Sequence, residues 1–145
     1  MTRKLRTVFA LAALLVCALY ANAADRVMWK PIDQVILQLN GKAPKTWNVY
    51  RAEKRDGWVL VKLWRRYLLI DEREQAVYDL DPQKLKAKGE ELEWSETDKP
   101  AKAIEISEWS TRNIGPARRI RFKFGSDGGV LEVQVPQKRD LRPFY

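Results

Sequence analysis

The sequence predicts a mainly β protein: a small antiparallel β-sandwich or partly closed barrel with one short helix, preceded by an N-terminal signal segment. Three observations carry this. Short runs rich in aromatic and β-branched residues follow one another through polar turns, as in an antiparallel sheet and not as in βαβ units. The first 23 residues have the three-part layout of an export signal. The single cysteine, Cys17, lies inside that segment. The remaining chain therefore has no disulfide and must stand on a hydrophobic core, which a domain of its size can supply.

The signal reads in order. Arg3, Lys4 and Arg6 form a positive start, Val8 to Tyr20 is an unbroken apolar run, and Ala21-Asn22-Ala23 offers small residues for cleavage. The run is short for a membrane span. A lipidated Cys17 fits less well, because the bulky Val16 precedes it. Cleavage after Ala23 leaves one exported domain, residues 24–145, with 137–145 as a trailing tail and the periplasm as the expected compartment. The competing arrangement is an inner-membrane anchor retained through residues 7–24.

Within the domain, residues 32–39 carry two patterns. Ile32, Val35, Ile36 and Leu39 recur at helical spacing, whereas Val35, Leu37 and Leu39 alternate. The meander that follows favours a strand over 34–39. "TWNVYRAE" (46–53) is a strand and "EKRDG" (53–57) a turn. "WVLVKLW" (58–64) is nearly all apolar, as suits a central strand covered on both faces. "YLLID" (67–71) and "AVYDL" (76–80) continue the sheet. Asp81 as cap, Pro82 at the first position and Gly89 as stop mark a helix of about two turns. Residues 90–102 are acidic and polar and read as a surface loop. "AIEIS" (103–107) alternates as a strand, and 108–117 reads as irregular. "RRIRFKF" and "VLEVQV" then form a hairpin around "GSDGG". Matching apolar faces sets Phe124 opposite Leu131, Phe122 opposite Val133 and Ile120 opposite Val135.

The chain is basic, with 27 Lys+Arg against 19 Asp+Glu. Three of the basic residues belong to the signal. The remainder is uneven, with basic flanks around an acidic stretch at 71–98, so that much of the charge can be neutralised within the fold. Histidine is absent, and so is cysteine after residue 23. This excludes Ser-His-Asp and cysteine nucleophiles, haem ligation by histidine, and the usual zinc and copper sites. A carboxylate pair, a Ser–Lys dyad and an all-oxygen calcium site remain chemically open. However, Asp79-Leu80-Asp81 and Asp127-Gly128-Gly129 lack the spacing of a calcium loop. The expectation is a non-enzymatic protein with no catalytic residues, no metal and no cofactor. A membrane β-barrel is disfavoured, because the strands are shorter than the 9–11 residues a span needs.

Two groups are candidate contact residues. The basic ones are Arg65, Arg66, Arg118, Arg119, Arg121 and Lys123. In the predicted hairpin Arg119, Arg121 and Lys123 share a face opposite Ile120, Phe122 and Phe124. Single-stranded nucleic acid needs cations and aromatic platforms on one surface, so nucleic acid is not the expected partner. Of the six tryptophans, Trp47, Trp58 and Trp64 fall in predicted strands and are assigned to the core. Trp94 and Trp109 fall in loops and are the better contact candidates. The function expected is a binding or accessory module contacting an envelope protein or polymer. A carrier of an apolar ligand, lined by Trp58, Leu60 or Trp64, and a polyanion binder are the alternatives. The oligomeric state is not legible.

Overall fold

The computed structural model describes residues 26–43, 47–96, 98–125 and 128–137. The expected signal segment, residues 1–23, and the tail beyond Gln137 lie outside them, as does the Trp47 side chain. The architecture is two antiparallel sheets, one of them a half-barrel. The described residues form eleven strands: β1 (Val27–Pro31), β2 (Ile36–Leu39), β3 (Trp47–Ala52), β4 (Trp58–Leu63), β5 (Arg66–Asp71), β6 (Ala76–Leu80), β7 (Leu85–Lys88), β8 (Glu91–Trp94), β9 (Ile106–Ile114), β10 (Ala117–Phe124) and β11 (Val130–Pro136).

The half-barrel runs β6-β5-β4-β3-β1-β8-β7, and the second sheet β2-β11-β10-β9. The edge strands β6 and β7 are successive in sequence, joined through a single 3-10 turn at Pro82–Lys84. Four residues reach only about 14 Å, so the sheet must curl until its two edges approach each other. Curling gathers one face of all seven strands into a core of its own, built around Trp29, Trp58, Leu60, Leu69, Leu80 and Trp94. The convex face of β3 to β6 is covered by the second sheet. Val49, Val59, Val61, Leu68, Ile70 and Val77 meet Leu37, Ile120, Phe122, Leu131 and Val133 there. The near-continuous apolar run of β4 serves both cores. Trp58 and Leu60 face inward, and Val59, Val61 and Leu63 face outward, all buried.

Several expectations change. The two-turn helix is a single 3-10 turn. Asp81 does cap it, accepting from the Gln83 amide at 3.0 Å, but from Leu85 the chain is extended and pairs with β8. That pairing makes a strand of Glu91–Trp94, inside the stretch read as a loop, with Leu92 and Trp94 on the core face. The irregular stretch at 108–114 belongs to the nine-residue β9, while Ala103–Glu105 lie outside any strand. β1, with the fully buried Trp29, adds a strand ahead of the expected meander.

The β10–β11 register is offset by two residues: Phe122 faces Leu131, Ile120 faces Val133 and Arg121 faces Glu132. The hairpin closes more tightly, with the Phe124 amide donating to the Gly129 carbonyl at 2.9 Å and Gly125 at φ +55. An even offset leaves every side chain on its expected face. The faces were therefore read correctly and the partners were not.

Beyond β8 the chain crosses back to the β5–β6 turn, where Lys99 anchors it. Its Nζ lies 2.8 Å from Asp71 Oδ2 and 2.5 Å from Glu74 Oε2. Farther on, the Ile104 amide donates to the Val77 carbonyl at 2.7 Å, occupying part of the free edge of β6. The other long edge, β9, carries a β-bulge opposite Phe122, with Glu108 at φ +52. Such a bulge twists an edge away from unwanted pairing.

Candidate functional site

β4 and β5 pair down to Leu63↔Arg66, which leaves the reversal to Trp64 and Arg65 alone. Trp64 takes φ +53, a left-handed backbone that costs a bulky residue on the order of 1 kcal/mol. The turn lifts its side chain off the core. Trp64 is 57% exposed, the most exposed large apolar side chain among those described. This corrects its assignment to the core, since the apolar run of the sequence continues one residue past the end of the strand.

Trp64 borders a hollow of about 270 Å³, lined also by Leu39, Asn40, Leu63, Arg66 and Phe124. The hollow has firm walls. The Asn40 amide donates to the Val130 carbonyl at 2.8 Å, and Asn40 Oδ1 accepts from the Val130 amide at 2.9 Å. Arg66 is paired with Asp79 at 3.1 Å across β5 and β6, whereas Arg65 forms no ion pair among the described residues. The arrangement is an apolar knob beside an apolar socket, flanked by guanidinium groups. Tryptophan and arginine are the residues that dominate protein-interface energetics.

The other candidates do not converge on one surface. Arg119, Arg121 and Lys123 lie on the outer face of the second sheet, with Arg119 held 3.6 Å from Glu132. Arg118 occupies the opposite, inward register with Ile120 and Phe122. Its Nε donates to Glu72 of the half-barrel and its Nη1 to Asn113. Trp94 lies in a strand and not in the loop expected for it. It is 1% exposed and packs against Trp29 and Trp58, because β8 turns it into the half-barrel. Trp109 is half-buried and stacks on Phe122 with ring centroids 5.8 Å apart. Its principal contact is therefore within the fold.

A second concavity, about 320 Å³, opens at the end of the cleft between the sheets. Arg51, Arg55 and Arg118 line it together with Glu72, Trp58 and Val135. The signal for it was present in the sequence. Arg51 shares the core-facing register of Val49, and Arg118 that of Ile120. Arginine at the inward position nearest a strand's end, the last for Arg51 in β3 and the first for Arg118 in β10, places a charge at the mouth of an apolar cleft.

The interior of the half-barrel is packed. Trp29 stacks on Trp58 at 6.3 Å, and Trp94 lies 6.5 Å from Trp29 and 6.2 Å from Trp58. Among the described residues no group of three or more potential metal ligands comes together, and no helix is long and apolar enough to cross a membrane. No protein-family model, curated protein or solved structure matches this chain.

Proposed function

We propose that this chain is a non-enzymatic binding or accessory module of the cell envelope, and that it docks on another envelope protein through the Trp64 turn. The observation that carries the reading is the exposed Trp64 at positive φ beside the Leu39–Phe124 hollow. A strained turn that displays a tryptophan sacrifices stability for display, and such strain concentrates at functional sites. The flanking Arg65 and Arg66 give the rim the composition of an interface hot spot. The absence of histidine, and of cysteine beyond residue 17, supports the non-enzymatic part. Export through residues 1–23, to the periplasm, belongs to the same proposal and rests on their charge and apolar layout. The carrier alternative draws less support from a half-barrel filled by its own tryptophans. The polyanion alternative is weakened by Arg118 and Arg119, which already meet carboxylates.

The test is site-specific photo-cross-linking in intact cells, with the cross-linker placed at Arg65 or, as a control, at the exposed Lys86 of β7. One dominant protein adduct from position 65, absent from position 86, is the expected result. Trp64→Asn should abolish that adduct. Asparagine tolerates the left-handed backbone, so folding stability should stay within about 1 kcal/mol of the parent or rise. Equal adducts from both positions, or an adduct unaffected by Trp64→Asn, would sink the reading.

A further inference from the structure

The arginine-lined concavity between the sheets is separate from the Trp64 turn, and its chemistry points to a different kind of ligand. Arg51 leaves β3 on the core-facing side and is half-buried, yet among the described residues its guanidinium donates only to the Pro136 carbonyl. Arg55, in the β3–β4 turn, lies with its guanidinium carbon 5.8 Å from the Trp58 ring centroid. Neither forms an ion pair with a carboxylate among the described residues. The carboxylates nearby are engaged elsewhere, Glu72 by Arg118 and Asp56 by Arg73 at 3.7 Å.

A half-buried guanidinium given a single neutral acceptor has donors left to satisfy. Arginine presents five N–H groups in a rigid fork, and a carboxylate or phosphoryl group matches that fork in two-point contact. Burial pushes the Arg51 pKa down, which marks the cost of holding that charge without a counter-ion. The concavity, about 320 Å³, lies at the lower end of the size range of small-molecule sites.

We infer that this cleft is an oxyanion-binding site, in which Arg51 and Arg55 hold the carboxylate or phosphoryl group of a small ligand or of an anionic polymer end. Arg118 remains on Glu72 and closes the far wall. Arg51 supplies the inner contact and Arg55 the outer one, over the Trp58 ring. The inference does not depend on the docking role of Trp64.

Isothermal titration of the mature protein with pyrophosphate and with citrate, at low and moderate sodium chloride, tests it. The expected result is saturable one-to-one binding of at least one of the two, weakened as salt rises. Arg55→Gln should weaken it at least tenfold with an unchanged melting temperature. Arg112→Gln, on the exposed part of β9, should leave it intact. Preference for pyrophosphate assigns a phosphoryl group and preference for citrate a carboxylate; either supports the site. Absence of saturable binding by both anions, or equal weakening by Arg55→Gln and Arg112→Gln, overturns it.

Discussion

Trp29→Ala should lower folding stability by about 3–5 kcal/mol, the usual cost of deleting a large buried aromatic side chain. Trp29 is fully buried at the centre of the half-barrel core. Its β1 position pairs with Ala52 of β3, and that small residue leaves space for the Trp29 ring to reach across to Trp58 of β4. The two rings lie 6.3 Å apart at an interplanar angle of 20°. Trp94 completes the cluster from β8, on the other side of β1. The ring therefore ties together strands from both halves of the curled sheet, and truncation leaves a cavity that no flexible neighbour can fill.

Trp29→Phe supplies the contrast. The buried indole N–H of Trp29 has no hydrogen-bond partner among the described residues, and an orphaned buried donor costs about 1–3 kcal/mol. Phenylalanine removes that donor while keeping an aromatic ring, so its net cost should stay below about 2 kcal/mol. Denaturant titration followed by far-ultraviolet circular dichroism measures both variants. Equal losses for Ala and Phe would show that the ring stack does not hold the half-barrel together.

Lys99→Met should cost about 3 kcal/mol, because it leaves the carboxylate of Asp71 buried without its cation. Asp71 is 3% exposed. Its Oδ1 already accepts from the amides of Arg73 and Glu74, at 3.1 and 3.3 Å, and its Oδ2 depends on Lys99. Adding Asp71→Asn to Lys99→Met should recover part of the loss, since the orphaned charge is then gone.

The same cluster sets a pH dependence. Burial alone would push the Lys99 pKa down, but its hydrogen bonds to Asp71 and Glu74 raise it well above the ordinary lysine value. A pKa raised by folding contributes stability that is complete below the unfolded value, near 10.4 for lysine, and is lost as pH rises toward the folded one. Burial and the hydrogen bond to Glu74 raise the Tyr78 pKa, which acts in the same direction. These groups leave stability flat from pH 6 to about 9 and make it fall above about pH 10. Lys99→Met should show a shallower alkaline decline in thermal unfolding. A decline as steep as the parent's would place its origin elsewhere.

Legibility in the sequence followed the range of the interactions involved. The strands β3 to β6 were readable because each is a compact run of aromatic and β-branched residues bounded by polar turns, and each pairs with its neighbour. Trp64 was misplaced because its turn contains no glycine, proline or asparagine. The apolar run of β4 simply continues into it, and only the Leu63↔Arg66 pair shows where the strand ends. Trp94 was misplaced for the opposite reason. Acidic composition hid the alternation of Glu91, Leu92, Glu93 and Trp94, which resolves into faces once β1 and β7 lie on either side. The separation of Arg118 from Arg119 and Arg121 was latent in the alternation, but its meaning required knowing that Glu72, in the turn after β5, stands opposite it.

The sequence by itself determined that the chain builds antiparallel β structure, which side of each hairpin strand is apolar, and which chemistries lack their side chains. Period-two patterning and composition act within a few residues, so they survive in one dimension. Only the tertiary structure decided that β1 lies between β3 and β8, that β6 and β7 close the curl across one 3-10 turn, and that the β10–β11 register is the tighter one. The placement of β1 depends on contacts between residues far apart in the chain, whereas the hairpin register depends on how its turn closes. The curl of the half-barrel draws on the fit of rings such as Trp29, Trp58 and Trp94, and no local pattern encodes that fit. The arginine-lined cleft is a product of how the two sheets face each other, and the exposure of Trp64 of where the β4–β5 pairing ends.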